Sequence, residues 1–467
     1  MGDRDALRRR FAAHGQDHVF RFWDELEPSE RDMLASQCEA LDLGALDAAL
    51  ADIREAPEAP PEIAPPAVER LPSRGGDSRR FAQAVRLGED LLTAGRVGVL
   101  VVAGGQATRL GFPGPKGLFP IGPVSERTLF ELQAQKLQRV RRRCGTAVPW
   151  YVMTSPATDM PTREYFAERG NLGVPEEELF FLTQGMVPSV DFEGKLILAD
   201  RGRLAENPDG HGGVVTALAR SGALDDMERR GITTLFYYQV DNPLVRMADP
   251  AFLGFHNELD ADASCKVVRK TDPDEKVGVL ARRGDTTAVV EYTELDAPHR
   301  TAREPGGELR YWAGNVAIHV FEVAFLRQLA LEADRQLPFH TSKKKIPGID
   351  ANGQPVSPTA PNGLKLERFI FDALPAARRV CVLEADRAEE FSPVKNRAGT
   401  DSPESARADL VAQYRRWLDG TKLKPPHGRS IEIDHAEIDS AEDALALGIS
   451  NLEDARKIVT IGSGARQ

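Results

Sequence analysis

Apolar residues change their spacing along this chain, and the changes mark its parts. Over residues 1 to about 55 they recur at helical intervals, as in Phe20, Trp23 and Leu26 and again in Leu41, Leu46 and Leu50. This predicts a helical N-terminal segment. The stretch EAPEAPPEIAPPAVERLP (55–72) follows, with proline too dense for a helix or strand interior, so a linker or an extended arm is expected. From about residue 97, short continuous apolar runs alternate with helical patterns. Val97 to Val102 is one such run, WYVMTS (150–155) a second and TTLFYYQV (233–240) a third, each suited to a buried parallel strand. Thr128 stands where it caps a helix through Leu129, Leu132, Leu137 and Val140, and SPES (402–405) opens another that reaches Leu418.

Such alternation implies an α/β domain around a mostly parallel sheet. It weakens after Phe371, and the last stretch, about 420–467, reads as a small appended unit. The expected division is a helical segment with its Pro-rich linker (55–72) over 1–95, a main α/β domain over 96–385 and a small C-terminal domain over 386–467. A length of 467 residues agrees with two or three domains.

Composition narrows the class. With 41% hydrophobic and 28% charged residues the chain has the make-up of a soluble globular protein. A net charge of −11 argues against a nonspecific nucleic-acid binder, which carries a basic face. Cys38, Cys144, Cys265 and Cys381 lie far apart with no CxxC pair, so neither a disulfide framework nor a zinc site is indicated. The opening MGDRDALRRR has no apolar core of a signal peptide, and no run of apolar residues is long enough to cross a membrane. A cytoplasmic location is expected.

The candidate chemistry begins where the first strand ends. VVAGGQATRLGFPGPKG (101–117) turns through Gly104 and Gly105 at the carboxyl end of that strand, where open α/β sheets bind ligands. Bare glycines let backbone N–H groups approach an anion, and Arg109 and Lys116 add full charges. The glycines at 104, 105 and 111 do not space as GxGxxG, and Lys116 is flanked by Pro115 and Gly117 rather than set in a GxxxxGK[ST] loop. Prolines at 113, 115 and 120 forbid an immediate regular helix. The segment therefore predicts an extended loop whose two cations close over phosphates; an ordinary glycine-rich turn is the plainer alternative.

AGGQATRLGFPGPKG (103–117) resembles the signature loop of the UDP-sugar pyrophosphorylases, above all the eukaryotic-type UDP-N-acetylglucosamine pyrophosphorylases. FLTQGMVPSV (181–190), NPDGHGGVVTAL (207–218), YYQVDNPLVRMADPAFLGFH (237–256), AGNVAIHVF (313–321), PNGLKLERFIFDAL (361–374) and EFSPVKNRAGTDSPESAR (390–407) are similar to family segments, in family order. The resemblance implies a Rossmann-like nucleotidyltransferase core of the GT-A-like kind, with a mixed, mostly parallel sheet and 96–385 as the catalytic domain. It implies a reaction of UTP with a sugar 1-phosphate, in which the sugar phosphate attacks the α-phosphorus in line and pyrophosphate departs. Two anions must meet, so the protein's task is charge neutralisation and alignment.

On that resemblance Arg109 serves the leaving pyrophosphate, Lys116 the α-phosphate, and Lys395 in EFSPVKN reaches the phosphates from another side. Asp241 after YYQV is the expected ligand of Mg2+, which needs hard oxygen donors; helix capping is the common alternative for such an Asp, and Asp249 before Pro250 suits that role. Gln184 matches the uracil-facing glutamine, whose amide complements an imide edge, with Gly104, Gly105 and Gly210 against base and ribose. Gly278, Glu291 and Asn315 match hexose-contacting positions, and Phe369 and Phe371 resemble aromatics near an acetyl pocket, with a core role as the alternative. His211 stands where the acetylhexosamine enzymes have Asn and is similar to the glucose-using relatives. N-acetylglucosamine 1-phosphate is the expected partner of UTP, with glucose 1-phosphate or broad sugar use as the alternative.

Two other readings compete. A UDP-sugar-dependent glycosyltransferase would hold its metal with DxD, and Asp260-Ala261-Asp262 fits that pattern. A non-catalytic UDP-sugar sensor would have no use for Arg109, Lys116, Asp241 and Lys395 together.

Overall fold

The computed structural model describes residues 2–54, 62–331, 337–448 and 459–462. The chain divides into two compact units, each discontinuous in sequence. One comprises Met1–Pro60, Gln184–Thr216 and Gln336–Asp372, and the other Pro61–Thr183, Ala217–Arg335 and Ala373–Gln467. These units cut across the chain-order division, because two inserts from within 96–385 join the N-terminal residues.

The second unit is built on a ten-stranded sheet. Its strands are β1 (Ile63–Ala64), β2 (Val97–Val102), β3 (Trp150–Thr154), β4 (Leu179–Thr183), β5 (Thr234–Gln239), β6 (Ala263–Arg269), β7 (Val279–Arg283), β8 (Thr286–Val290), β9 (Ala313–Glu322) and β10 (Val380–Glu384). β5, β2, β3 and β4 lie side by side and parallel. Beyond β5 runs antiparallel β9, which also pairs with β6 and β7. The α/β fold with a mixed sheet is thus the observed one, with its parallel strands in one block and much of the rest antiparallel.

Local sequence explains the parallel block. VGVLVV has no polar face, and β2 is buried along all but its last residue. The helix Leu129–Cys144 starts as expected: Thr128 Oγ1 accepts from Glu131 N at 3.2 Å while the Glu131 carboxylate accepts from Thr128 N at 2.7 Å. Gly145, at φ 69, ends it. Ser402 likewise caps Pro403–Asp419.

Some expectations change. Phe20 and Trp23 sit in two short 3-10 turns, Asp17–Phe20 and Trp23–Glu25, rather than in one helix. Of the Pro-rich stretch 55–72, residues 55–61 lie outside the described residues. The remainder is an extended arm: Ile63 and Ala64 pair with β7, and Glu69 exchanges hydrogen bonds with Val382 and Glu384. Among the described residues of the C-terminal stretch, Tyr414, Trp417, Ile431, Ile433 and Ile438 share one buried cluster with Val99, Trp150 and Phe236.

The first unit packs its N-terminal helices against a small sheet. Phe11, Phe20, Leu34 and Leu46 are buried together with Val190, Leu196, Leu204 and Leu366. That sheet has three strands, Phe339–Lys344, Gly363–Arg368 and Val190–Asp191.

Candidate active site

In the second unit the phosphate candidates converge on the carboxyl ends of β2 and β5. β2 ends at Val102, and the loop after it is pinned closed by Ala107 N to Gly114 O and Lys116 N to Gly105 O, both at 2.9 Å. Ser155 Oγ, after β3, donates to Gly104 O at 2.8 Å, which fixes the glycine pair from the neighbouring strand. Gly105 is exposed, and a Cβ there would meet no atom within 4 Å, so its backbone faces open space. Ala107 sits in the loop at φ −94, a conformation open to any side chain.

Arg109 lies in an exposed 3-10 turn, Thr108–Leu110, and among the described residues its guanidinium has no ion-pair partner. Lys116 is half-buried and stands 3.4 Å from Asp241 Oδ2. Asp241 is buried, two residues beyond the end of β5 rather than within the strand. Its carbonyl oxygen accepts from Val394 N at 2.9 Å, which brings the loop carrying Lys395 to the same turn. The Lys395 backbone N–H donates to Asp401 O at 2.7 Å. Burial pushes the Asp401 carboxyl up, Lys395 draws it down, and Asp241 pushes it up again, so these charges sense one another.

Gly278, Glu291 and Asn315 form a second group in this unit. Asn315 N donates to Gly278 O at 2.9 Å, and a Cβ on Gly278 would lie 3.2 Å from Glu291 Oε1. Asn315 Oδ1 accepts from Ala317 N at 3.1 Å, in a stretch of β9 where Ala317 takes the left-handed φ of 55. The irregular register of β6 against β9 falls opposite, between Cys265 and Val267, so a bulge aims this asparagine.

The remaining candidates belong to the first unit. Gln184 is buried directly after β4. Gly210 has φ 85, and a Cβ there would lie 2.4 Å from Arg368 O, so the position needs glycine on both counts. His211 Nδ1 accepts from Ile370 N at 3.2 Å, and its ring stacks on Phe369 with centroids 5.1 Å apart. Phe371 lies 5.7 Å from the His211 ring and 5.1 Å from Phe369. Phe369 also stacks on His340 at 4.4 Å, and His340 Nε2 is 2.8 Å from Asp372 Oδ2. The sequence reading missed His340 and Asp372. The antiparallel register puts His340 opposite Glu367, and Phe369, which follows that strand pair, stacks on it.

Asp260 and Asp262 do not form a metal motif. Arg378 holds Asp262 through Nη2 at 2.7 Å and its backbone N–H at 2.7 Å, and Arg379 pairs with Asp260. Asp249 caps the helix Pro250–Glu258, as expected. Among the described residues no three His, Cys, Asp or Glu side chains gather as a metal site. Asp241 therefore fits an ion held mainly by ligand oxygens and water, and does not fit an all-protein cage.

With this geometry in view, the comparisons decide the family. The sequence model described as UTP–glucose-1-phosphate uridylyltransferase matches residues 77–403. The chain belongs to that family. This uridylyltransferase-family chain is a nucleotidyltransferase, and its family-typical metal is a divalent cation. It is 39% identical over 451 residues to UDP-N-acetylhexosamine pyrophosphorylase-like protein 1 of Xenopus tropicalis, which covers 92% of this chain and 88% of that protein. It is 39% identical over 431 residues to UDP-N-acetylglucosamine diphosphorylase 2 of Arabidopsis thaliana, covering 88% and 84%. The solved structure of the uridine diphosphate N-acetylglucosamine pyrophosphorylase from Trypanosoma brucei, in complex with inhibitor, is similar with a TM-score of 0.78 and 29% identity, over 90% of this chain and 86% of that one.

Proposed function

We propose that this uridylyltransferase-family chain makes UDP-N-acetylglucosamine and pyrophosphate from UTP and N-acetylglucosamine 1-phosphate. The observation that carries the reading is the meeting of Lys116, Asp241 and the Lys395 loop at the carboxyl end of the parallel block. A phosphate oxygen of the sugar phosphate attacks the α-phosphorus of UTP, the bond from that phosphorus to the bridging oxygen breaks, and pyrophosphate takes the electron pair. No side-chain nucleophile is required. Lys116 and Lys395 neutralise the charge that builds on the transferring group, and Arg109 receives the pyrophosphate with a forked donor. Asp241 would hold Mg2+, which would supply charge neutralisation when bound.

Gln184 reads the uracil edge, and Gly104, Gly105 and Gly210 present backbone to base and ribose. Gly278, Glu291, Asn315 and His211 serve the hexose, and Phe369 and Phe371 stand near its N-acetyl group. The preference for an N-acetylhexosamine phosphate is supported by the names of the relatives at 39% identity. Glucose 1-phosphate is the second reading, and His211, standing where the acetylhexosamine enzymes have Asn, is the feature that favours it. A cytoplasmic location is supported by free cysteines, Cys38, Cys265 and Cys381 being buried, which suit a reducing compartment. No helix among the described residues is long and apolar enough to cross a membrane.

A panel of hexose 1-phosphates with UTP and Mg2+ tests the substrate. The N-acetylglucosamine ester is expected to give the highest kcat/KM for pyrophosphate release. A higher value with glucose 1-phosphate would move the assignment to the second reading.

A further inference from the structure

We propose that Asn242 is a positioning residue for uridylyl transfer, its amide locking the Lys395 loop to the turn that bears Asp241. The inference rests on the site reading above. Asn242 is buried, and every polar atom of its amide is engaged. Nδ2 donates to Glu390 O at 2.7 Å, and Oδ1 accepts from Ser392 N at 3.2 Å. Both partners belong to the segment that leads into Lys395. Oδ1 also accepts from Leu244 N at 3.2 Å, which ties the same amide to its own turn. Val394 N to Asp241 O then continues the seam at Asp241 itself, one residue before Lys395.

The other supports reach the two segments at other points, and Lys266 alone among them also bonds Asp249, at the far end of the stretch that follows Asp241. Gln133 Nε2 donates to Val240 O at 2.9 Å, and Lys136 Nζ donates to Pro243 O and Val245 O at 2.8 and 2.9 Å. These come from the helix Leu129–Cys144 and fix the Asp241 turn. On the loop, Lys266 pairs with the Glu390 carboxylate, and Ser392 Oγ donates to Asp409 at 2.6 Å. Among the described residues Asn242 is the side chain that bonds the 241–244 turn directly to residues 390 and 392. The task selects the residue type: one group must donate to a carbonyl and accept from two N–H groups in a buried seam. An Asp lacks the donor, and an apolar residue lacks everything. A displacement of the lysine by about 1 Å is enough to cost on the order of a hundredfold in rate.

Wild type, Asn242→Ala and Asn242→Asp are compared in the pyrophosphate-release assay, each alone and combined with Lys395→Ala. The Asp variant keeps the two acceptor bonds and loses the donor, so it carries the test if the Ala variant does not fold; circular dichroism and thermal melting establish folding. The expected result is a fall in kcat of roughly 10–100-fold for each folded single variant, the usual cost of losing a residue that orients a catalytic group. In the Lys395→Ala background the same change should cost less than about twofold, because the lysine it positions is gone. Single variants within about twofold of wild type, or an equal loss in both backgrounds, would overturn the proposal. A wild-type protein inactive with every sugar phosphate would instead overturn the site reading, and that is seen before any variant is compared.

Discussion

Lys116 Nζ stands 3.4 Å from Asp241 Oδ2, across from the loop after β2 to the turn after β5. The two side chains are only 19% and 11% exposed, so each holds the other's charge at the mouth of the parallel block with little solvent between. One is a cation suited to an α-phosphate and the other an oxygen ligand suited to a hard metal. On the proposed roles, phosphate and metal would meet at one point.

Lys116→Ala should therefore lower kcat by roughly 10²–10³, the usual cost of a charge that stabilises developing negative charge. The fold should survive, because the residue sits on a surface loop held by backbone bonds from Ala107 and Lys116 themselves. Steady-state kinetics and a melting curve check both halves. Undiminished turnover would remove Lys116 from the mechanism.

Asp241→Asn tests the metal role separately. The substitution keeps the shape and removes the charge, so the Mg2+ concentration giving half-maximal rate should rise by about tenfold or more. A metal titration with an unchanged midpoint would take Asp241 out of that role.

The stack of His211 on Phe369 gives a specificity prediction. His211→Asn removes the ring from a platform that also includes His340 and Phe371, and an amide in its place alters both shape and donor pattern. The ratio of kcat/KM for glucose 1-phosphate to that for N-acetylglucosamine 1-phosphate should shift by several-fold. An unchanged ratio would mean that His211 shapes the unit without reading the sugar.

Much of this was legible before any coordinates. VGVLVV reads as a buried strand because it has no polar face, and Thr128 with Glu131 reads as a helix start because the two satisfy each other's backbone N–H groups. The lysine and the aspartate could be named singly, but their 3.4 Å meeting depends on β2 and β5 being neighbours, which no local pattern specifies. The same holds for the N-terminal helices. Their spacing reads as helical, but it does not say that Phe20 and Leu46 pack with Val190, Leu196 and Leu366 from segments far along the chain. Backbone strain was equally hidden: nothing in AGNVAIHVF marks Ala317 as left-handed.

Stability against acid follows from Asp249, which caps Pro250–Glu258 and lies 2.7 Å from Lys266 Nζ. Burial pushes its carboxyl up, but Lys266 and Arg246 outweigh that and bring it from 3.8 to about 2. A carboxyl depressed in the folded state stabilises above its unfolded value and loses that contribution as pH falls through the folded one. Asp249→Asn keeps a capping side chain and deletes the charge. In urea titrations the variant should be the less stable above about pH 4, with the gap closing as pH falls toward 2. A gap that stays constant over that window would show that the charge is not its source.

The proposed reaction transfers the uridylyl group of UTP to a sugar phosphate. UTP labelled at either its α- or its γ-phosphorus, incubated with the protein, Mg2+ and N-acetylglucosamine 1-phosphate, tests it most directly. The α-label should appear in UDP-N-acetylglucosamine and the γ-label in pyrophosphate. Release of the γ-label as inorganic phosphate, or no labelled sugar nucleotide at all, would contradict the account.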